Sequence, residues 1–228
     1  MEGENLSDIN YVTKSDLSIL NEINHTESVL KYGDVLEAFN DNLLKHPKNS
    51  LVTYNDNVYS YDEGAFIANE ISNKLKSIGV EKEDNIAFLV ERSELYIFTI
   101  LGILSAGAVY VPLDDTLPDE RLNFMINDVD AKVVIASDET YNRADDLTDD
   151  AVLLNISDIL KGDIETLSSL PVTASPLACI LYTSGTTGIP KGVKITRKSL
   201  VNFIEFYVKK SGIDYQDIFA MYASIGLM

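Results

Sequence analysis

Thr183, Ser184, Gly185, Thr186, Thr187, Gly188 and Lys191 crowd into one stretch, Leu181-Tyr182-Thr183-Ser184-Gly185-Thr186-Thr187-Gly188-Ile189-Pro190-Lys191-Gly192-Val193. The hydroxyls of Thr183, Ser184, Thr186 and Thr187 are hydrogen-bond donors. Gly185 and Gly188 let a backbone approach a ligand closely and take positive φ. Successive main-chain N–H groups in such a loop form a concavity for anions, and Lys191 adds a compact positive charge. The ligand that suits this set is a polyphosphate. Composition alone fits an ordinary polar turn equally well, because Gly, Ser and Thr are common turn residues. Composition leaves both readings open, so the order of residues must separate them. It is not the common nucleotide loop, which ends in Gly-Lys-Ser/Thr after four intervening residues, and no Gly-x-Gly-x-x-Gly occurs.

The elements around the loop must position it. The apolar run Leu177 to Tyr182 reads as a strand leading in, and Gly192 to Thr196 as a strand leading out. Upstream, Val35, Leu36, Phe39, Leu43 and Leu44 recur with helical period, and Pro47 stops the helix. Leu51–Tyr54 and Val58–Ser60 flank Asn55-Asp56-Asn57 as a hairpin. Ser60 with Glu63 has capping-box spacing before an apolar face of Ile67, Ala68, Ile71, Leu75 and Ile78, with Gly79 as the stop. Ile86–Val90 is a strand. Residues 94–106 read as a buried helix and 109–113 as a buried strand. Pro118, Asp119 and Glu120 open another helix, whose inner face is Leu122, Met125, Ile126 and Val129. Lys132–Ala136 and Ala151–Asn155 read as strands, with a weakly patterned acidic, solvent-facing stretch between them. Leu200–Val208 reads as a helix and Ile218–Ala223 as a final strand.

This alternation implies an α/β fold around a largely parallel sheet. In such sheets ligands bind at loops beyond the strand carboxyl ends, where the loop after Tyr182 sits. Such a loop is expected to be weakly ordered at 184–190 without ligand. Residues 1–30 are polar, with Leu17, Leu20 and Ile23 as a short apolar pattern, and read as a lead-in arm or interdomain linker.

Composition narrows the partners. The chain has 228 residues, is 46% hydrophobic, and carries 36 acidic against 18 basic residues, a net charge of −18. A sizeable core is expected, whereas nucleic acid and an anionic membrane surface are not. The acidity itself reads as a solvated surface. Leu95–Leu113 is uncharged and approaches the length of a membrane span, about 20 residues, but Gly107 and Pro112 interrupt it and its near flanks are acidic. Cys179 is the single cysteine, excludes an internal disulfide, and fits a buried structural thiol in a reducing, cytoplasmic setting. His25 and His46 have no metal-ligand spacing with it, and no Gly-x-Ser-x-Gly elbow supports a serine hydrolase. No signal peptide opens the sequence.

The loop string resembles the phosphate loop of the adenylate-forming (AMP-binding) superfamily, which includes adenylation domains of nonribosomal peptide synthetases, acyl-CoA ligases and luciferases. Tyr59-Ser60-Tyr61-Asp62-Glu63 with Ala68-Asn69, and Gly102 to Asp114 followed by Leu117-Pro118-Asp119-Glu120-Arg121, resemble two further motifs of peptide-synthetase adenylation domains. Ala108 and Val109 depart from the glycine and alanine usual there. The resemblance covers about residues 30–228 and implies the N-terminal portion of the large domain, without its C-terminal half and small mobile domain.

It implies a ligase that joins a carboxylic acid, an amino acid in this branch, to ATP, releasing pyrophosphate. The acyl group then passes to the phosphopantetheine thiol of a carrier protein. It assigns Thr183, Ser184, Gly185, Thr186, Thr187, Gly188 and Lys191 to the phosphates, and Pro190 and Gly192 to loop shape. The magnesium ligands fall outside this chain. Met228 falls where amino-acid-activating members place an aspartate, which leaves an aryl or fatty acid ligase as an alternative. A non-catalytic half-domain that binds a nucleotide or a protein partner is another.

Overall fold

A computed structural model describes residues 12–148, 150–183 and 190–221. The chain divides into two compact units, residues 1–31 and 32–228. In the first, helix α1 (Lys14–Asn24) is capped reciprocally: Thr13 Oγ1 accepts from Asp16 N–H at 3.1 Å, and Asp16 Oδ2 accepts from Thr13 N–H at 2.9 Å. Leu17, Leu20 and Ile23 lie along it, all exposed.

The second unit starts with α2 (Val35–Lys45), whose N-cap Asp34 accepts from Leu36 N–H at 2.8 Å. An antiparallel hairpin follows, β1 (Ser50–Tyr54) and β2 (Asn57–Ser60), turning through Asn55 at φ 52°. Asparagine tolerates this left-handed geometry. Helix α3 (Tyr61–Ser77) begins where the Glu63 carboxylate accepts from both the Ser60 N–H, at 2.8 Å, and the Ser60 hydroxyl, at 2.6 Å.

The alternating part then runs β3 (Asn85–Leu89), α4 (Glu94–Ala106), β4 (Val109–Pro112), α5 (Asp119–Asp128), β5 (Val133–Ala136), α6 (Tyr141–Leu147), β6 (Val152–Asn155) and α7 (Ile156–Ile159). It ends with β7 (Leu177–Thr183), β8 (Lys191–Thr196) and α8 (Arg197–Ser211).

Strands β6-β5-β3-β4-β7-β8 form a six-stranded sheet in that order. All neighbours are parallel except β8, which is antiparallel to β7. Both faces are covered, as a parallel sheet requires. Ile86, Phe88, Val90 and Ile135 pack on one side with Ile71, Leu75, Phe98 and Ile103 of α3 and α4. Ala87, Leu89, Val111 and Val134 pack on the other with Leu122, Met125 and Ile126 of α5 and Ala144 and Leu147 of α6. Helix α4 is apolar all round because it is buried. At Gly102 a Cβ would stand 2.7 Å from Ile71 Cβ and 2.9 Å from the Ala68 carbonyl, so only glycine lets α3 and α4 approach this closely. Gly107 ends α4 at φ 87°.

The segment 94–113 is thus a buried helix and a buried strand, and no helix among the described residues is long and apolar enough to cross a membrane. Two expectations change. Residues 137–150 are not simply a solvent-facing stretch: α6 lies there, anchored by buried Ala144 and Leu147. Ile218–Met221 is not a strand. Ile218 is 97% and Phe219 63% exposed, and no neighbouring strand satisfies the segment's backbone among the described residues, so its β-favouring side chains do not suffice. Tyr222–Met228, including Met228 itself, lies outside the described residues.

Candidate phosphate-binding site

Strand β7 runs parallel to β4, so it ends at the same edge of the sheet as the carboxyl ends of β3, β4 and β5. There the chain turns and returns antiparallel as β8, with Tyr182 opposite Gly192 and Thr183 opposite Lys191 as the last pair. Thr183 is half-buried and Lys191 exposed. Of the residues read as phosphate ligands, the structure brings Thr183 and Lys191 together across the mouth of the hairpin. Ser184, Gly185, Thr186, Thr187 and Gly188 lie outside the described residues, as does the expected weak order of the loop.

The hairpin is anchored just below its mouth. Tyr182 is fully buried, and its hydroxyl donates to Asp128 Oδ2 at 2.6 Å, with the Met125 carbonyl at 3.4 Å. Burial, with the Asp128 carboxylate adding to it, pushes the Tyr182 phenol well above its ordinary range, so it stays a neutral donor. Gly192 has a definite reason to be glycine: a Cβ there would lie 2.9 Å from Ile180 Cγ2 and 3.4 Å from the Tyr182 ring. Cys179, opposite Tyr110 on β4, is buried, and burial raises its thiol despite a hydrogen bond from Tyr110. It is a packed, buried thiol, as expected.

The other end of β8 holds what the sequence reading missed. Arg197 is 2% exposed. Its Nη1 donates to Asp34 Oδ2 at 3.0 Å, Nη2 to the Leu104 carbonyl at 2.6 Å, and Nε to the Leu177 carbonyl at 3.2 Å. Its own N–H donates to Pro176 O at 2.9 Å. One side chain therefore ties the root of the hairpin to the start of α2 and the end of α4. No local pattern marks this pair, because Asp34 and Arg197 stand far apart in the chain.

Beside the hairpin, the loop after β4 is locked by its own polar groups. Asp114 Oδ1 accepts from the Thr116 N–H at 3.0 Å and hydroxyl at 2.6 Å. Arg143 Nε donates to Asp119 Oδ1 at 2.7 Å, and the guanidinium also holds the carbonyls of Asp115 and Leu117. After β5, Ser137 donates to the Glu91 carboxylate and Thr140 to the Leu89 carbonyl, joining the ends of β3 and β5. The motif residues Asp114, Leu117 and Asp119 thus take part in local hydrogen bonds that shape this loop.

The described residues thus supply a two-stranded base that ends in the Thr183–Lys191 pair, with Lys191 exposed. Residues 39–228 match the family model described as AMP-binding enzyme. The chain belongs to the AMP-binding enzyme family. A linear gramicidin synthase of Brevibacillus parabrevis is 33% identical over 180 residues, 78% of this chain and 4% of that protein. Surfactin synthase subunit 2 of Bacillus subtilis (strain 168) is 32% identical over 204 residues, 84% of this chain and 6% of that protein.

The chain thus spans a small part of the curated relatives it matches. Among solved structures, the nonribosomal peptide synthetase FmoA3 in its AMPPNP-bound form superposes with a TM-score of 0.76 at 23% identity, over 88% of this chain and 21% of that one. VinN superposes at 0.71 and 25% identity, over 83% and 52%. The fold is that of the adenylate-forming domains of AMP-binding enzymes, seen over their N-terminal part.

Proposed function

We propose that residues 31–228 are the N-terminal portion of an adenylation core, led in by residues 1–30, and that the β7–β8 loop holds the phosphates of ATP. The parent ligase activates a carboxylic acid, preferably an amino acid, for transfer to the phosphopantetheine thiol of a carrier protein. The carboxylate oxygen attacks the α-phosphorus, the bond to the bridging oxygen breaks, and pyrophosphate leaves. The thiol then attacks the acyl carbon and AMP leaves.

The obstacle is electrostatic, because a negative carboxylate must approach a negative triphosphate. Fixed donors and charge around the phosphates offset that repulsion and stabilise the leaving pyrophosphate. Thr183, Ser184, Thr186 and Thr187 donate hydroxyls, Gly185 and Gly188 supply backbone N–H groups at close range, and Lys191 supplies charge. Magnesium, when bound, shields phosphate oxygens. Among the described residues no group of three or more His, Cys, Asp or Glu is placed to hold a metal ion, so no residue of this chain is assigned to it.

The observation that carries this reading is the Thr183–Lys191 pair closing the hairpin at the carboxyl edge of the parallel sheet. The AMPPNP-bound form of FmoA3 supports a nucleotide ligand. The peptide-synthase relatives and the VinN complex with L-aspartate support an amino acid.

Titration calorimetry with ATP and AMP tests the cradle. Saturable ATP binding is expected, and density for phosphoryl groups elsewhere with the loop empty overturns it. ATP–pyrophosphate exchange, run with amino, aryl and fatty acids on a longer chain, tests the acid. Exchange is expected with an amino acid there and absent with the 228-residue chain. Robust exchange by the short chain overturns the fragment reading.

A further inference from the structure

The sheet has two edges, and they are guarded differently. An edge strand offers unpaired N–H and C=O groups to any extended chain, and proteins blunt such edges with lysine, proline or bulges. On β8, Lys191 and Lys194 stand exposed. On β6, Val152-Leu153-Leu154-Asn155, there is no lysine, no proline and no register shift, and Val152 is 47% exposed.

The phase of the β5–β6 ladder says which groups are open. Val152 N–H donates to the Lys132 carbonyl at 3.0 Å, toward β5. Strand groups alternate, so Val152 and Leu154 face β5, while the N–H and C=O of Leu153 and the N–H of Asn155 face outward. No hydrogen bond among the described residues takes them up. Leu153, Leu154 and Asn155 line a groove of about 440 Å³, together with Glu70 and Lys74 of α3, Tyr141 of α6 and Asp158 of α7. An added strand needs such a trough, with a backbone to pair and walls for alternate side chains.

Charge selects the occupant. The groove and the strand ends carry Glu70, Asp158, Asp150 and Asp138, the last accepting from Asn155 Nδ2 at 2.7 Å and Ser157 Oγ at 2.9 Å. Against them stand Lys74 and Lys161, the latter already paired with Asp158 at 2.7 Å. Two copies pairing antiparallel through β6 would set Asp150 of one against Asp138 and Asp158 of the other, between molecules of charge −18. Like charges facing each other across a strand pair are destabilising. The chain's first 31 residues carry six acidic and two basic residues, so they have the wrong sign too.

We propose that the open edge of β6 docks an extended segment of a partner protein bearing lysine or arginine, which adds to the sheet as a further strand beside Leu153 and Asn155. This does not depend on nucleotide binding.

The test uses fluorescence anisotropy with a short labelled peptide alternating lysine and valine, a glutamate–valine counterpart, and a lysine–valine peptide N-methylated on the pairing amides. Saturable binding of the first is expected, about tenfold weaker for the second and lost for the third. The double variant Glu70→Lys with Asp158→Lys should reverse the charge preference. Leu153→Pro should abolish binding. Because proline can unfold a strand, amide exchange in the unaltered chain gives a second reading: the Leu153 and Asn155 amides should slow when the peptide is added. No saturable binding, equal binding of the N-methylated peptide, or unaltered exchange at both amides overturns the proposal. So does a β6-mediated dimer of the chain alone in sedimentation.

Discussion

The two ends of β8 contrast sharply. At one, Arg197 is buried against Asp34, and its guanidinium meets three acceptors on three different segments. At the other, Lys191 stands exposed opposite Thr183, at the mouth of a glycine-rich turn. The difference shows how one hairpin divides its work. The root is fixed by a buried ion pair, and under the proposed function the tip is left to present donors to a ligand. A site held on rigid elements keeps its geometry; a site that also had to hold the fold together could not stay open to a ligand.

The contrast breaks most visibly at the root. Arg197→Leu leaves Asp34 buried without its counter-charge, and losing one partner of such a pair costs about 3–5 kcal/mol. Urea denaturation should show that loss, and a variant as stable as the parent chain would remove the keystone. Lys191→Ala should do the converse. It should weaken ATP binding about tenfold, or about 1.4 kcal/mol, while its denaturation midpoint stays within experimental error. A comparable loss of stability would mean the tip also holds the fold.

Tyr182→Phe probes the position between the ends. Loss of its bond to the solvent-facing Asp128 carboxylate should cost about 1 kcal/mol, with a smaller effect on ATP affinity than Lys191→Ala. An affinity loss as large would move the boundary between anchor and tip one residue down the strand.

The smallest effect, remote from both ends, calibrates the others. The Ser60 hydroxyl and N–H hold the Glu63 carboxyl below its ordinary range. Its contribution is therefore full above the usual carboxylate range, about pH 4, and is lost as pH falls through the lower folded value. Glu63→Gln should lose a few tenths of a kcal/mol to about 1 kcal/mol at neutral pH, and the gap from the parent chain should close in acid. A gap that widens in acid contradicts the cap.

What the sequence determined by itself is what short-range physics encodes. The apolar periodicity of α3 and α5, the cap at Ser60, the Asn55 turn, and the helix–strand division of 94–113 all depend on neighbours within a turn or two. The apolar run Leu177 to Tyr182 and the stretch Gly192 to Thr196 marked the strands β7 and β8 for the same reason. Tertiary structure alone decided the rest. It made a helix of the acidic 141–147 because Ala144 and Leu147 found a core to enter. It left Ile218–Met221 out of the sheet, because β-favouring side chains do not make a strand unless a neighbour pairs with it. It joined Arg197 to Asp34 and Tyr182 to Asp128, and left the outward groups of Leu153 and Asn155 without a backbone partner among the described residues. Partners so far apart in the chain leave no local pattern, because the free energy that selects them appears only when the sheet and its two helical layers close.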